Sequence, residues 1–131
     1  MKLEHIGVNV TDPRALAQWY VEHLGLRIVR ADSHPPYITF LAGDHGKTMI
    51  EVYSNPVGEY VDYGSMHPVT FHIAFALEDG EDMAAERERL INAGGTPAGD
   101  MPITPSGDRL TFVRDPWGNT IQLVQRGQPL Q

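Results

Sequence analysis

The 131 residues suffice for one domain, or for two very small ones folded against a shared core. With 10 Lys+Arg against 17 Asp+Glu the net charge is −7, which argues against a nucleic-acid partner, since such a protein shows a basic patch or stripe. The 41% hydrophobic share argues against disorder, no apolar run is long enough to span a membrane, and the absence of cysteine excludes disulfides, thiolate metal sites and a cysteine nucleophile.

Residues 3–10 alternate in polarity and read as a strand, without the apolar core of a secretion signal, so a cytoplasmic location is expected. Asp12-Pro13 then offers a helix N-cap followed by proline; Leu16, Trp19, Tyr20 and Leu24 share a helical face, and Gly25 stops the helix. Residues 26–31, 36–42 and 48–54 read as three strands, separated by the turn signals SHPP (33–36) and AGDHG (42–46). A Pro/Gly/Tyr-rich connection covers 55–68. A strand over 69–77 and a helix over about 80–93 follow, the helix turning Met83, Leu90 and Ile91 inward and ending at Gly94-Gly95. A weak strand near 96–100 precedes better ones at 108–114 and 119–125, which the turn DPWGN (115–119) joins.

The same order of elements occurs twice. HIGVNVTD, beginning at His5, lies over HIAFALED, beginning at His72, and the gaps from these histidines to Gly25 and Gly94 are 20 and 22 residues. TMIEVY (48–53) lies over TIQLV (120–124), placing Glu51 over Gln122. An α+β chain of two half-chains is therefore expected, each a strand, a helix and three strands: module 1 over about 1–54 and module 2 over about 69–126, within a single domain spanning 1–131.

Strand alternation gives each strand two faces. Ile6, Val8 and Val10 oppose His5, Gly7 and Asn9; Ile50 and Val52 oppose Met49, Glu51 and Tyr53. Phe71, Ile73, Phe75 and Leu77 oppose His72, Ala74 and Ala76; Ile121 and Leu123 oppose Thr120 and Gln122. The larger apolar faces suit the helices, so His5, Glu51, His72 and Gln122 share the second face at repeat-equivalent positions. Taken singly, each histidine reads as a hydrogen-bonded strand residue and Glu51 as an exposed one. Taken together, imidazole nitrogens with carboxylate and amide oxygens suit Zn, Ni, Co, Fe or Mn, and such an ion can polarise a carbonyl and stabilise a developing enolate.

The pattern from KLEHIGVNVTD through EHLGLR to RDPWGNTIQLVQ resembles the vicinal oxygen chelate superfamily, which includes glyoxalase I, methylmalonyl-CoA epimerase, extradiol dioxygenases and fosfomycin-resistance proteins. The resemblance implies two βαβββ modules forming a cupped, mostly antiparallel sheet around one divalent metal, with His5, Glu51, His72 and Gln122 as ligands. It also implies a small-molecule substrate and, since dimers are common in the family, a homodimer. One departure from the family matters: the fourth ligand is usually glutamate, as in GNxIEL, and here it is Gln122. Glutamine offers a carbonyl oxygen to a metal but is no base, which moves the proton-transfer role to Glu51.

The expected function is a metal-dependent proton transfer next to a carbonyl through an enediolate, by a glyoxalase-like lyase, isomerase or epimerase. The two-His, one-carboxylate set also matches non-haem Fe(II) dioxygenases, and a metal-free drug-binding resistance protein is the non-enzymatic alternative. Counting alternation from Ile38 and Phe40, and from Leu110 and Phe112, as helix-facing puts Tyr37, Thr39, Arg109 and Thr111 in the cup as substrate-binding candidates. Tyr53 joins them from the Glu51 face. Arg109 suits a substrate carboxylate or phosphate.

Overall fold

The computed structural model describes residues 1–44 and 46–130 and divides into two compact units, Met1–Val61 and Asp62 onward. His45, in the expected 42–46 turn, lies outside the described residues.

In the first unit β1 (His5–Asn9), α1 (Pro13–Leu24), β2 (Arg27–Ala31), β3 (Thr39–Ala42) and β4 (Met49–Tyr53) follow in chain order. The helix begins where Asp12 Oδ1 accepts from Ala15 N at 3.1 Å, and it ends at Gly25, whose φ of 67° suits a residue without a Cβ. The sheet order is β1-β4-β3-β2, with β1 and β4 parallel and the other pairs antiparallel. One face of the sheet carries Val8, Leu41 and Val52, which are buried with Leu16, Ala17 and Tyr20 of α1.

The second unit repeats this plan with β5 (Ile73–Ala76), α2 (Met83–Asn92), β6 (Thr96–Met101), β7 (Arg109–Arg114) and β8 (Thr120–Gln125), in the order β5-β8-β7-β6. Asp82 Oδ1 caps α2 by accepting from Ala85 N at 2.8 Å, and Leu90 packs inward. Residues 115–119 close the β7–β8 hairpin: Asp115 Oδ1 accepts from the backbone N–H groups of Trp117 and Asn119. The expected strand over 69–77 shortens to four residues. The preceding residues form a turn in which Thr70 N donates to His67 O, leaving His72 at the mouth of β5. Each unit is therefore a four-stranded mixed sheet with one helix, and the sheets are not closed.

The register corrects the expected faces in two places. Thr39 pairs with Val52 and Phe40 with Glu51, so Thr39 faces α1 and is buried, whereas Phe40 shares the face of Glu51. Thr111 pairs with Leu123 and Phe112 with Gln122, so Arg109 and Thr111 lie on the α2 side of β7, and Phe112 lies beside Gln122. Tyr37 precedes β3 in a left-handed conformation, φ 58°, and the Arg14 guanidinium of α1 sits 5.3 Å from the centre of its ring. A residue in that conformation breaks the two-residue period, so alternation cannot be counted through it.

Candidate functional site

On the open face of the first unit, Gly7 of β1 pairs with Glu51 of β4, and Glu51 pairs with Phe40 of β3. His5, two residues before Gly7, shares that face and stands edge-on to the Phe40 ring, with centroids 5.4 Å apart and planes at 82°. The second unit builds the same frame. Ala74 pairs with Gln122, Gln122 pairs with Phe112, and His72 stands edge-on to Phe112 at 5.5 Å and 70°. The sequence marks the four polar positions but hides the two phenylalanines beneath the imidazoles. Their equivalent places in the repeat are the signal that could have found them.

The histidine tautomers follow from their partners. His5 Nδ1 lies 2.9 Å from Glu4 Oε2, and a carboxylate only accepts, so Nδ1 is the donor. In the neutral ring Nε2 then carries the lone pair, and it faces Glu51 Oε2 at 3.4 Å. His72 Nδ1 likewise donates to Pro68 O at 3.0 Å, leaving its Nε2 with the lone pair. Metal-binding histidines are commonly oriented by such an outer hydrogen bond.

Two lone-pair atoms facing each other call for a cation or a proton between them. Two ligands each about 2.0–2.2 Å from one metal, at octahedral to tetrahedral angles, are about 2.8–3.6 Å apart, and the His5–Glu51 separation falls within that range. The donor chemistry therefore fits a divalent ion. Gln122 is 8% exposed, and among the described residues its side-chain amide has no hydrogen-bond partner, which leaves the carbonyl oxygen available. Among the described residues no group of three or more His, Asp or Glu side chains is arranged to hold a metal; His5 and Glu51 form a pair in the first unit, and in the second His72 and Gln122 both neighbour Phe112.

The surroundings of the pairs differ. An ideal Cβ on Gly7 would lie 3.1 Å from Glu51 Oε2 and 3.2 Å from the Tyr53 hydroxyl oxygen, so glycine leaves the space in which carboxylate and phenol converge. Tyr53 thus keeps its expected place on the Glu51 face. Asn9, on the same face, donates to Asn55 O and Glu59 O and accepts from Asn55 N, holding the segment that follows β4.

In the second unit Arg114 lies on the Gln122 face. It donates to Thr120 Oγ1 at 2.8 Å and to the carbonyls of Tyr63 at 2.8 Å and Met66 at 2.6 Å. It thereby secures the segment whose Pro68 carbonyl orients His72. Asp108, at the start of β7, accepts from Gly127 N, Arg126 and Ser106. The Gly127 N–H, followed by the Arg126 guanidinium, holds the Asp108 carboxyl below the usual carboxylate range. Asp108 is thus an anchor of the second unit.

Residues 2–123 match the sequence model of the Glyoxalase/Bleomycin resistance protein/Dioxygenase superfamily. The chain is 28% identical over 130 residues to a lactoylglutathione lyase of Salmonella typhimurium, a match covering 95% of this chain and 93% of that one. It is 26% identical over 132 residues to the enzyme of that name from Haemophilus influenzae, with the same coverage. Among solved structures, an antibiotic binding protein from Streptomyces sp. CB03234 superposes with a TM-score of 0.70 at 22% identity, over 96% of both chains. A glyoxalase-related enzyme from Fulvimarina pelagi superposes with a TM-score of 0.68 at 22% identity, over 96% of this chain and 88% of that one.

Proposed function

The chain belongs to the glyoxalase/bleomycin resistance protein/dioxygenase superfamily, and from that premise we propose that it is a metal-dependent, glyoxalase-type lyase or isomerase of a small oxygenated molecule. The observation that carries this reading is the opposition of His5 Nε2 and Glu51 Oε2 at 3.4 Å, in a frame that the second unit repeats around His72 and Gln122. In this reading His5, Glu51, His72 and Gln122 hold one Zn, Ni, Co, Mn or Fe ion, and the two modules work as a single domain of a cytoplasmic homodimer. The bound ion supplies Lewis acidity, polarising the substrate carbonyl and stabilising negative charge on its oxygen.

The residues divide the remaining work. Glu51 Oε2 takes the proton from the carbon beside the carbonyl, leaving an enediolate, and returns it to the neighbouring carbon. The imidazoles stay neutral as ligands, and Gln122 contributes only a carbonyl oxygen. One carboxylate among four donors leaves a net charge of about +1 on a divalent centre, which favours an anionic oxygen. The Tyr53 hydroxyl, beside Glu51 in the space above Gly7, orients the substrate.

The relatives named lactoylglutathione lyase make the hemithioacetal of glutathione and a 2-oxoaldehyde the first substrate to try. Elemental analysis of the purified protein is expected to find one metal per chain. Chelation should abolish thioester formation, and re-addition of one of the candidate ions should restore it. A protein that takes up no metal yet binds small molecules would overturn the proposal in favour of a binding protein, and oxygen consumption with Fe(II) would overturn it in favour of a dioxygenase.

A further inference from the structure

The α2 side of the second sheet, opposite the face of His72 and Gln122, carries a groove of about 580 Å³. That volume falls within the range of small-molecule pockets. Met83 and Ile91 of α2 form its apolar wall, and Ile103, 67% exposed just beyond β6, adds an apolar surface near the rim. Its charged groups are Arg87 and Glu88 from α2, Asp100 from β6 and Arg109 from β7.

The cations are poorly matched by these acids. Arg87 Nε is buried without a hydrogen-bond acceptor among the described residues. The acid opposite, Asp100, approaches only to 3.9 Å, too far for a hydrogen bond, and the same oxygen, Oδ1, is already engaged by the Thr111 hydroxyl. Arg109 is exposed at the start of β7, where its backbone pairs with Gln125, and its guanidinium makes no hydrogen bond or ion pair among the described residues. The buried Nε is out of a ligand's reach, but the terminal N–H groups of Arg87 and the Arg109 guanidinium are likewise without acceptors among the described residues, and such donors beside an apolar wall are a receptor for an anion that carries an apolar body.

We propose that this groove is a second small-molecule site, separate from the His/Glu/Gln face, that takes an amphipathic monocarboxylate. Arg109 and the terminal N–H groups of Arg87 bind the carboxylate, and Met83, Ile91 and Ile103 cover a medium-length aliphatic or aromatic tail. Asp100 and Glu88 limit the ligand to a single negative charge, because a dianion would meet their repulsion.

The test is an amide-resolved NMR titration of the full chain with octanoate, with octanol as the uncharged control. Octanoate should shift α2 and residues 100–111 saturably, while octanol binds about tenfold more weakly, the worth of one hydrogen bond to a charged group. Arg109→Met and Arg87→Met should each weaken octanoate by about tenfold or more. Asp100→Asn keeps an acceptor for Thr111, removes the competing charge and should tighten it. Thermal melts confirm that each variant is folded, and His72→Ala should leave octanoate binding unchanged. Shifts centred on residues 72 and 122, equal binding of octanoate and octanol, unchanged affinity in both arginine variants, or no saturable shift at millimolar ligand would each overturn the proposal.

Discussion

The two units place the same backbone frame under different chemistry. In both, a histidine precedes a strand residue with a small or absent side chain, that residue pairs with a polar ligand candidate, and the ligand candidate pairs with a phenylalanine. On this frame the first unit sets Asn9, Glu51 and Tyr53, whereas the second sets Ala76, Gln122 and Val124 at the corresponding rungs. Strand pairing therefore determines where donors stand, and the side chains on those rungs determine what they can do. At these rungs the first unit holds a carboxylate and a phenol, whereas the second holds an amide and two aliphatic side chains.

Exchanging the chemistry of the units should produce the largest effect. Glu51→Gln makes the first unit resemble the second, and turnover should fall about two to four orders of magnitude, the worth of a positioned base. Metal should remain detectable by elemental analysis. Parental turnover with metal bound would remove Glu51 from the proton-transfer role. Gln122→Glu is the reverse exchange and should tighten metal in a competition with a chelator.

Removing an anchor comes next. His5→Ala and His72→Ala should each weaken metal by more than the about 10–100-fold that loss of an outer hydrogen-bond partner costs. Chelator competition measures this, and the comparison sharpens if the two losses differ, because the lost imidazole is the partner of the carboxylate Glu51 in one case and belongs to the unit of the neutral Gln122 in the other. Gly7→Ala tests the spacing. Its Cβ would meet Glu51 Oε2 at 3.1 Å and Tyr53 Oη at 3.2 Å, so both must give by a few tenths of an ångström. We expect a loss of about tenfold in kcat, less than the ~100-fold of a full 1 Å misplacement. Ala74→Gly, in the equivalent place, should leave kcat close to parental.

The element order, the duplication and the four polar positions were legible in the sequence because β1, β4 and β8 alternate polar and apolar residues. The substrate-facing candidates on β3 and β7 were not. Both faces of these strands carry apolar side chains, since Phe40 and Phe112 support the imidazoles while Leu41 and Val113 pack in the cores, so period two carries no information there. Buried threonines deepen the ambiguity. Thr39 and Thr111 look like ligand-facing polar groups yet are 2% and 3% exposed on the helix side, where Thr39 Oγ1 donates to Tyr37 O and Thr111 to Asp100.

The smallest effect concerns the second unit alone. Asp108 has a lowered pKa in the folded chain, so its contribution to stability is complete above the pKa of an unfolded Asp, about 3.9. That contribution is lost as pH falls from there through the lowered folded value. Asp108→Asn should therefore flatten the acid limb of a plot of melting temperature against pH while leaving the His5–Glu51 chemistry untouched. An unchanged acid limb would show that the Gly127 and Arg126 bonds do not distinguish the folded from the unfolded carboxylate.

The hydrogen bonds of Asn9 and Arg114 also bear on how this chain can be re-engineered. Asn9 ties down Asn55 and Glu59, and Arg114 ties down Tyr63 and Met66. Val61 falls between these two closed sets of bonds. Extra residues spliced in after it would lengthen the connection without loosening either set. That position is where a reporter could be inserted, with each histidine still held by its own half.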